Sequence, residues 1–309
     1  MVYLLTGGTG SFGHRFTERA LKEHDLRKLI ILSRDEFKLY KMRQEFSDDR
    51  MRFFIGDVRD FDRVKRVMEG VDVVVHAAAM KQIPACEDSP YEAVKTNILG
   101  TQNVCQAALD NRVGKIVSLS TDKAVYPVNL YGTTKLAGEK IVIGSNVYAQ
   151  GRNQAFSVVR YGNVAGSRGS VIPHFRSLTA VESLPVTDSR MTRFWMTLDD
   201  AVDIVFKAID TATGGEVFIP KMKAFKITDL VEALGKAWHE VGIRAGEKLH
   251  ESMWTVSDSV ANIGEHFEIW PRSDWFKREA GALGWTQPYS SDCVDLLSVD
   301  ELKERLETV

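Results

Sequence analysis

Five side chains that are able to move or hold protons lie within one short stretch of the sequence. Thr121, Asp122 and Lys123 stand in a row. Tyr131 and Lys135 follow four residues apart, so on a helix they share one face. An ammonium beside a phenol favours the phenolate, which can take a proton from a hydroxyl group. We therefore predict a catalytic site at these five residues.

An apolar run at residues 115–119 precedes the catalytic residues and predicts a buried strand. Thr121, Asp122 and Lys123 would then leave the carboxyl end of that strand. Open α/β sheets place their chemistry at this end of their strands. The position along the chain therefore agrees with a catalytic role.

A glycine-rich turn follows the first predicted strand, residues 2–6. Gly7, Gly10 and Gly13 lie between this strand and a helix predicted over 14–23. Glycines at this spacing allow a tight turn, a close approach of the backbone to a pyrophosphate and close packing of helix on strand. The free amides at the helix start favour phosphate groups. The predicted dinucleotide contacts here are Gly7, Thr9, Gly10, Ser11, Phe12 and Gly13.

The end of the second predicted strand, residues 28–32, is expected to select the cofactor. Enzymes that prefer NAD usually place a carboxylate there for the ribose 2'-hydroxyl, whereas the 2'-phosphate of NADP needs donors and positive charge. Ser33 and Arg34 occupy this position, with Lys38 one helical turn further on. We therefore favour NADP and keep NAD as the alternative, because Asp35 is close in sequence.

Further cofactor contacts are predicted after the third and fourth strands. A short acidic side chain after residues 52–55 can hold the adenine amino group. Small residues after 71–76 would let the nicotinamide half lie against the backbone, and a lysine follows on a loop able to overhang a phosphate or a sugar. These contacts are Asp57, Val58, Ala77, Ala78 and Lys81.

The alternation of strands and helices in the first half of the chain predicts a doubly wound parallel sheet of Rossmann type, an α/β fold. A smaller C-terminal lobe would bind the substrate. We place the cofactor-binding domain at residues 1–165 and the substrate lobe at 166–309, and we expect the two to interleave. Within the lobe, residues 227–240 predict a helix, and Ser298 predicts the cap of a terminal helix.

Two further features concern packing. Asn97 lies in a helix predicted over 91–111, where we expect it to bond to backbone near the active site as a scaffold residue. The last part of the chain carries Trp270, Trp275 and Trp285, which either pack over the substrate lobe or build an oligomer contact. Packing is the preferred interpretation.

Composition narrows the class of function. The 309 residues include 40 basic and 42 acidic side chains, a formal net charge of -2, which supports neither a nucleic-acid nor a membrane-surface partner. Cys86, Cys105 and Cys293 show neither metal-ligand spacing nor a disulfide framework. We find no signal peptide and no membrane anchor, so we predict a cytoplasmic protein without a metal.

The glycine-rich turn, the Tyr131 and Lys135 pair and the preceding Thr121 resemble the extended short-chain dehydrogenase/reductase superfamily. Within it, the sequence closely resembles the inverting UDP-N-acetylglucosamine 4,6-dehydratases, a family whose product feeds pseudaminic-acid-type sugars. Lys123 stands where retaining relatives carry a glutamate. The motifs that carry the resemblance are Thr121-Asp122-Lys123, Arg160-Tyr161-Gly162-Asn163-Val164, residues 166–170, residues 190–194 and residues 246–251.

The resemblance implies a role for each catalytic residue. Tyr131 takes the proton of the sugar 4-hydroxyl while C4 gives its hydride to the nicotinamide, and Thr121 orients that oxygen. Lys123 then removes the C5 proton, and Asp122 protonates the C6 hydroxyl, which leaves as water. These roles require a lowered pKa for Lys123 and a raised pKa for Asp122, although an ion pair between them pushes both the other way. They also require Lys135 and the oxidised nicotinamide to favour the phenolate of Tyr131.

The resemblance also implies UDP-N-acetylglucosamine as the substrate. Asn163 is expected to donate to a phosphate or an acetamido group, and its alternative is a turn-capping role. Arg193 and Arg244 are candidates for the diphosphate, and Glu247 for the ribose hydroxyls. The predicted substrate contacts are Lys81, Asn163, Val171, Ile172, Phe175, Val186, Arg193, Arg244 and Glu247. We also expect a homo-oligomer.

Three alternatives remain open. A C5-retaining 4,6-dehydratase is one, because the sequence does not prove the stereochemistry at C5. A sugar-nucleotide 4-epimerase or a simple NADP-dependent reductase needs Tyr131 and Lys135 but has no use for Asp122 and Lys123. A non-catalytic NADP-binding regulator needs none of these four residues, and the fold alone does not exclude it.

Overall fold

A nine-stranded sheet forms the centre of the structure. The computed structural model describes residues 1–178, 181–272, 276 and 288–309. The strands are, in chain order, β1 (Val2–Thr6), β2 (Lys28–Ser33), β3 (Met51–Ile55), β4 (Val73–His76), β5 (Lys115–Thr121), β6 (Ala155–Tyr161), β7 (Asn163–Val164), β8 (Ser183–Val186), β9 (Thr192–Met196), β10 (Val217–Pro220), β11 (Ala224–Lys226), β12 (Ala237–Glu240), β13 (Ser259–Asn262) and β14 (His266–Trp270).

Helices connect these strands. They are α1 (Ser11–Glu23), α2 (Glu36–Glu45), α3 (Phe61–Val67), α4 (Ile83–Asp88), α5 (Pro90–Val94), α6 (Gly100–Asp110), α7 (Leu130–Ala149), α8 (Val171–Ser177), α9 (Leu198–Thr211), α10 (Ile227–Ala233) and α11 (Val299–Leu306). A π-helical turn, Lys95–Leu99, joins α5 to α6, so the helix predicted over 91–111 is present but changes its pitch in the middle. A 3-10 turn, Asp122–Ala124, follows β5.

The strand order in the main sheet is β13-β14-β10-β6-β5-β4-β1-β2-β3. The strands from β10 to β3 are parallel, and β14 and β13 are antiparallel additions at one edge. The predicted doubly wound sheet is therefore confirmed as a mostly parallel sheet. Its strand order reverses between β1 and β4, and open α/β sheets bind ligands at the carboxyl ends of the strands at such a point.

The central parallel strands are mostly apolar because helices cover both faces of the sheet. Leu4, Val74 and Ile116 belong to the buried cluster on one face. Leu5 and Val117 belong to the cluster on the other. The alternation along each strand thus fills two cores, one above and one below the sheet.

A smaller lobe has its own core. It contains the sheets β11-β9-β7 and β12-β8. Its buried cluster draws on α8, β8, β9, α10 and α11, with Ile172, Leu184, Trp195, Leu230 and Leu302 among its members. Strands β10, β13 and β14, which also come from the second half of the chain, join the main sheet instead.

The helix predicted over 227–240 is wrong in its second half. Helix α10 ends at Ala233, and Gly235 follows with a φ of +71°. The amide of Lys236 bonds to the carbonyl of Val231 at 3.2 Å, which completes a Schellman cap. The chain then forms β12, which pairs with β8. The glycine thus ends the helix earlier than the apolar pattern predicts.

The predictions for the last part of the chain have different outcomes, and the capped terminal helix is confirmed. Ser298 caps α11 in a capping box with Glu301. Trp254 and Trp270 are buried, but Trp254 belongs to a core of the main sheet and Trp270 lies on β14 of that sheet, so packing over the substrate lobe is wrong for these two residues. Trp275 and Trp285 lie outside the described residues. Within the described ranges, no helix combines the length and apolar character needed to cross a membrane.

A buried ion pair joins α7 to the centre of the main sheet. Arg160 on β6 donates from Nε and Nη2 to the Glu139 carboxylate on α7 at 3.0 and 2.5 Å. Ser120 on β5 donates to the same carboxylate at 2.5 Å, and Arg160 donates to the carbonyl of Met253 at 2.6 Å. The side chains of Arg160 and Glu139 are 7% and 2% exposed. Four segments of the chain are therefore joined at one point.

We expect Arg160→Met to lower the free energy of unfolding by about 3–5 kcal/mol, because the Glu139 charge then stays buried without its partner. Replacing both, Arg160→Met with Glu139→Leu, should recover most of that loss. Urea unfolding followed by circular dichroism measures these values. The control is Lys303→Met, which breaks a solvated pair with Asp300 and should cost less than about 1 kcal/mol. Equal losses for the Arg160 and Lys303 variants would contradict the prediction.

Candidate active site

The predicted catalytic residues meet where β5 ends and α7 begins. Thr121 is the last residue of β5, the turn Asp122–Ala124 follows, and Tyr131 lies in the first turn of α7. A Cβ atom on Gly132 would lie 2.1 Å from the carbonyl oxygen of Lys123. Because glycine has no side chain, α7 can approach the turn closely and bring Tyr131 next to it.

Asp122 is fully buried and accepts both of its hydrogen bonds on one carboxylate oxygen. Thr121 Oγ1 donates to Oδ1 at 2.9 Å, and Lys123 Nζ donates to the same atom at 3.1 Å. The other oxygen, Oδ2, is buried and has no hydrogen-bond partner among the residues that the structure describes. Such an oxygen favours a bound proton, because an unpaired negative charge is costly away from water. Asp122 is therefore suited to hold a proton on Oδ2.

Lys123 lies between two carboxylates. Its Nζ is 3.1 Å from Asp122 Oδ1 and 3.2 Å from Glu251 Oε1. Glu251, which is 2% exposed, also pairs through Oε2 with Lys248 Nζ at 2.7 Å. Lys248 donates to the carbonyl of Val125 at 2.9 Å. The site thus contains a row of alternating charges, in which an acid from the β5 turn and an acid from residues 246–251 share one lysine.

Burial and neighbouring charges set the pKa values in this row. Burial raises the pKa of Asp122, against the charge of Lys123 and together with that of Glu251. Burial acts to lower the pKa of Lys123, but the carboxylates of Asp122 and Glu251 raise it above its usual range. The raised pKa of Asp122 has the direction that an acid requires. The raised pKa of Lys123 is opposite to the direction that a base requires, because two carboxylates rather than one contact its amino group.

Tyr131 and Lys135, one helical turn apart on α7, have different surroundings. Burial raises the pKa of Tyr131 to about 12, although the charge of Lys123 and a hydrogen bond with Thr121 act to lower it. Lys135 donates from Nζ to a backbone carbonyl of β5 at 2.6 Å. Burial lowers the pKa of Lys135 to about 8, against the charge of Glu139. The phenolate that the sequence analysis requires is therefore not favoured by the protein alone.

The glycine-rich turn lies against the end of β4. Gly7 has a φ of +69°, and a Cβ atom there would lie 2.7 Å from the backbone of Ala78. A Cβ atom on Gly13 would lie 2.1 Å from the Gly8 carbonyl oxygen, so α1 packs directly on the turn. Helix α1 begins at Ser11 with no side-chain cap and no acidic residue in its first turn. Its first amides are therefore suited to a phosphate group. The other predicted contacts here are Thr9 and Gly10 on the turn, Phe12 in the first turn of α1 and Ala77 after β4.

The end of β2 presents a hydroxyl group and positive charge. Ser33 is buried. The Arg34 side chain is 57% exposed and lies 4.0 Å from Asp57 Oδ2. Asp35 caps α2 by accepting from the amide of Lys38 at 3.0 Å, and its carboxylate also pairs with Lys38 Nζ at 3.0 Å. Asp35 is thus engaged within α2, while the guanidinium of Arg34 extends from the strand end.

Asn97 fixes the loop that follows β4. It accepts from the amide of Met80 at 2.8 Å and donates to the carbonyl of Met80 at 2.9 Å, so its predicted scaffold role is confirmed. Lys81 follows Met80 directly and is exposed. Val58, another predicted cofactor contact, is buried, and a Cβ atom on Gly100 would lie 2.7 Å from its side chain. Val58 therefore supports the packing of α6.

The predicted substrate residues of the smaller lobe fall into two groups. Asn163 has a buried Oδ1 with no hydrogen-bond partner in the described part of the chain. Ile172, Phe175 and Val186 are 2%, 6% and 1% exposed and belong to the core of the smaller lobe. Val171 packs against that core and is only partly buried. Of these residues, Asn163 thus has a polar atom without a partner in the described chain, and Val171 is partly exposed.

Arg193, Arg244 and Glu247 are also held by contacts within the chain. Arg244 and Glu247 pair with each other at 2.5 Å, with the Arg244 side chain 72% exposed. Arg193 fixes residues 246–251 against β9. It donates at 2.7 to 2.9 Å to the backbone carbonyls of Thr192, Lys248 and Leu249. Within the described ranges, no group of histidine, cysteine, aspartate and glutamate side chains is arranged to hold a metal ion.

The structure adds residues to the site that the sequence analysis does not assign. Glu251 and Lys248 contact the catalytic turn although they are far from it in the sequence. Arg168 donates from its amide and its Nε to Ser11 Oγ at 3.1 and 3.4 Å, so the loop before α8 reaches the glycine-rich turn. Glu139, the buried partner of Arg160, could have been found from the sequence, because it follows Lys135 by four residues on α7.

Comparison with known proteins supports the resemblance seen in the sequence. The family model described as "Polysaccharide biosynthesis protein" matches residues 3–269. A UDP-N-acetylglucosamine 4,6-dehydratase (inverting) of Campylobacter jejuni subsp. jejuni serotype O:23/36 (strain 81-176) is 52% identical over 260 residues, 83% of this chain and 78% of that protein. The resemblance drawn from the sequence motifs is therefore confirmed.

Two other proteins are similar over nearly the whole chain. A UDP-glucose 4-epimerase of Rickettsia akari (strain Hartford) is 38% identical over 325 residues, 99% of this chain and 95% of that protein. The X-ray structure of Pen from Bacillus thuringiensis superposes with a TM-score of 0.92 at 35% identity and covers 99% of this chain and 97% of that chain. This similarity confirms the fold from the glycine-rich turn to the terminal helix.

Lys135 gives a pH-dependent prediction for stability. Its pKa is about 8 in the folded chain, below the usual value of about 10.4, so the unfolded chain binds its proton more tightly. Burial of the Lys135 ammonium therefore lowers the free energy of unfolding by about 3 kcal/mol below pH 8, and this effect disappears above about pH 10.4. We expect Lys135→Met to be more stable than the wild type at pH 7 and to lose this advantage by about pH 10.5, as measured by urea unfolding.

The control for this prediction is Lys140→Met, at an exposed position of the same helix. The difference in the free energy of unfolding between Lys140→Met and the wild type should depend far less on pH. A Lys135→Met difference that stays constant between pH 7 and pH 10.5 would show that the Lys135 ammonium is not destabilised by burial.

Proposed function

The chain belongs to the family of polysaccharide biosynthesis proteins, and from this premise we propose that it is a UDP-N-acetylglucosamine 4,6-dehydratase that inverts C5. The product is UDP-2-acetamido-2,6-dideoxy-beta-L-arabino-hexos-4-ulose. C4 is oxidised, water is eliminated across C5 and C6, and a hydride is returned to C6, so the enzyme is a lyase with no net redox change. The observation that carries the proposal is the buried Asp122 with its unbonded Oδ2 beside Lys123 Nζ, at the strand end that also carries Thr121.

A nicotinamide dinucleotide fits the residues at the carboxyl ends of β1, β2 and β4. The uncapped start of α1 and the close-packed Gly7 support a pyrophosphate there. When bound, the cofactor accepts a hydride from C4 and later supplies one to C6. The residues proposed to hold it are Gly7, Thr9, Gly10, Ser11, Phe12, Gly13, Ser33, Arg34, Lys38, Asp57, Val58, Ala77, Ala78, Lys81, Tyr131 and Lys135.

Tyr131 and Thr121 act on the 4-hydroxyl in the proposed first half of the reaction. Tyr131 takes the hydroxyl proton, and Thr121 orients the same oxygen by a hydrogen bond. Because the pKa of Tyr131 is about 12 in the protein alone, its phenolate needs positive charge close by. Lys123 provides part of this charge, since it acts to lower the pKa of Tyr131.

Asp122 and Lys123 act on C5 and C6 in the proposed elimination. Oxidation at C4 makes the C5 proton acidic, because the resulting carbanion is delocalised into the new carbonyl. Lys123 in its neutral form, after it has lost its ammonium proton, takes this proton, and Asp122 gives the proton on Oδ2 to the C6 hydroxyl, so the C6–O bond breaks and water leaves. Return of the hydride to C6, with protonation of C5 from solvent on the opposite face, then gives the L-arabino configuration.

The proposed substrate contacts come mainly from the smaller lobe and from residues 244–247. Asn163 Oδ1 is buried without a partner in the described chain and is available to a donor on the sugar nucleotide. Arg244 is exposed and is proposed to bind the diphosphate, with Glu247 beside it for the ribose. The further proposed contacts are Lys81, Val171, Ile172, Phe175, Val186 and Arg193.

We propose NADP as the preferred cofactor. The supporting observation is that Arg34 extends from β2 while Asp35, the carboxylate that would favour NAD, is engaged with Lys38. A guanidinium at this strand end suits the 2'-phosphate of NADP. NAD remains the alternative.

Arg34→Gln tests the choice of cofactor. We expect it to weaken NADP binding about 10- to 100-fold by isothermal titration calorimetry, because the 2'-phosphate loses a charge-assisted bond, and to leave NAD binding nearly unchanged. Lys41→Gln, an equal change of charge at an exposed position of α2, is the control and should affect neither cofactor. Equal losses for NADP and NAD in Arg34→Gln would point away from a 2'-phosphate contact.

The remaining parts of the proposal concern organisation. We propose a cytoplasmic homo-oligomer, supported by three free cysteines and by large apolar side chains exposed on α5, the π-helical turn and α7. These side chains are Tyr91, Leu99, Val147 and Tyr148. We also propose 1–165 as the cofactor domain and 166–309 as mainly the substrate lobe.

The second candidate function is a sugar-nucleotide 4-epimerase, favoured by the similarity to the Rickettsia akari protein. Such an enzyme needs Tyr131 and Lys135 but gives no task to the buried Asp122. A regulator that only binds NADP has no use for any of the catalytic side chains. The two therefore differ from the dehydratase in whether water is lost.

The experiment is incubation of the purified protein with UDP-N-acetylglucosamine in deuterated water without added reductant. We expect loss of one water by mass spectrometry. Proton NMR should show a new 6-methyl group, deuterium at C5 and couplings of the L-arabino configuration. Asp122→Asn is the matched variant, and it should abolish water loss because the C6 hydroxyl no longer receives a proton.

Each other outcome selects a different function. Water loss with unchanged C5 configuration would identify a retaining dehydratase. Inversion at C4 without water loss would identify the epimerase. Consumption of NADPH, added in a separate incubation, would identify a reductase. A bound cofactor that stays unchanged with every sugar nucleotide would identify the regulator.

A further inference from the structure

We propose that Glu251 is a positioning residue for Lys123: its carboxylate holds the Lys123 amino group over the site and controls when that group releases its proton. The inference rests on the proposed function, because it assigns Lys123 the task of moving the C5 proton. It adds a residue from the second half of the chain to a site that otherwise consists of β5 and α7.

Glu251 is buried, contacts Lys123 and has its backbone fixed by hydrogen bonds. The residue is 2% exposed, and its Oε1 lies 3.2 Å from Lys123 Nζ. Its backbone is held on both sides, because its amide donates to Ser291 Oγ at 3.0 Å and its carbonyl accepts from the Ser291 amide at 2.8 Å. The Lys123 side chain is 19% exposed.

Two carboxylates on opposite elements fix a lysine better than one. Asp122, the neighbour of Lys123 in the sequence, lies 3.1 Å from Nζ, and Glu251 approaches from residues 246–251. A lysine side chain loses its rotamer freedom only when its end is held. With both contacts, Nζ has one position, which a residue that takes a proton from carbon requires.

Glu251 also has its own counter-charge. Lys248 Nζ lies 2.7 Å from Oε2, on the side of the carboxylate that does not contact Lys123. Burial acts to raise the pKa of Glu251, but the charges of Lys123, Arg193 and Lys248 lower it to about 2, so it stays ionised. Lys248 thus offsets part of the negative charge of Glu251 and weakens its effect on Lys123.

The groups that face Lys123 therefore have opposite effects on its pKa. Asp122 from the β5 turn and Glu251 from residues 246–251 favour the ammonium. Arg193 on β9 opposes them, as does the positive charge of Lys248 through its pairing with Glu251. Tyr131 on α7 is close to the same ammonium, whose charge acts to lower the pKa of Tyr131. Removal of Glu251 and removal of Lys248 should therefore shift the titration of Lys123 in opposite directions.

The experiment compares Glu251→Gln with Lys248→Gln in the loaded enzyme. If Lys123 acts in its neutral form, kcat rises with pH as Lys123 loses its proton. We expect this rise to move about one to three pH units lower in Glu251→Gln, where an attractive charge is lost, and to move higher in Lys248→Gln. The plateau of kcat should fall about 10- to 100-fold in Glu251→Gln, because Nζ is held on one side only.

Glu251→Asp and Lys303→Gln complete the set. The aspartate keeps the charge but shortens the side chain, so the plateau should fall while the pH of the rise stays near that of the wild type. Lys303→Gln removes a solvated lysine that pairs with Asp300, and it should leave the profile unchanged. Rises that move in the same direction in Glu251→Gln and Lys248→Gln would overturn the proposal, since a purely structural role has no reason to separate them.

A second readout does not depend on activity. The Lys123 amino group is followed by NMR in cofactor-free protein labelled with 15N-lysine, and its signal is assigned by its absence in Lys123→Arg. We expect it to lose its proton at lower pH in Glu251→Gln than in the wild type, and equal titrations would overturn the proposal. If the wild type releases no water from any sugar nucleotide, the proposed function fails, and this titration still decides whether Glu251 controls the Lys123 proton.

Discussion

The pairing of Arg160 with Glu139 is the interaction on which the rest of the site depends. Two charges are costly to remove from water, so such a pair is tolerated only when its remaining donors and acceptors are also satisfied. Ser120 and the carbonyl of Met253 meet this condition. The pair therefore joins β5, β6 and α7 to the segment of residues 246–254. The catalytic strand end and the catalytic helix are two of the parts that it joins.

The segment of residues 246–254 brings the second half of the chain to the catalytic turn. Near its start, the carbonyl of Gly246 accepts from Asn129 Nδ2 at 2.8 Å, next to the first turn of α7. Near its end, Met253 is bonded to the buried ion pair. Glu251 lies between these two anchors and reaches Lys123. Because both ends are fixed on elements of the catalytic site, the Glu251 carboxylate has a defined position relative to the lysine.

The features that depend on neighbours in the sequence are the ones that the sequence predicts well. The glycine-rich turn, the apolar strands and the spacing of the catalytic tyrosine and lysine are local, and the structure contains them. The helix over 227–240 is wrong because one left-handed residue, Gly235, outweighs an apolar pattern that continues beyond it. The contact of Glu251 depends on the pairing of distant segments, which no spacing rule reports. For the same reason the sequence could not settle the conflict between Asp122 and Lys123, since its answer depends on that third charge.

The charges of the protein alone explain why the proposed chemistry needs a loaded site. The pKa of Tyr131 is about 12 and that of Lys123 is raised above its usual range, so near neutral pH both groups carry their protons. Both would have to act as bases in the proposed reaction. Positive charge placed next to Tyr131 lowers its pKa, and the oxidised nicotinamide would carry such a charge until C4 is oxidised. Asp122 already has the raised pKa of an acid. In the proposed reaction the protein thus supplies the acid in advance, whereas Tyr131 would become competent as a base only beside the oxidised cofactor, which would couple removal of the 4-hydroxyl proton to oxidation at C4.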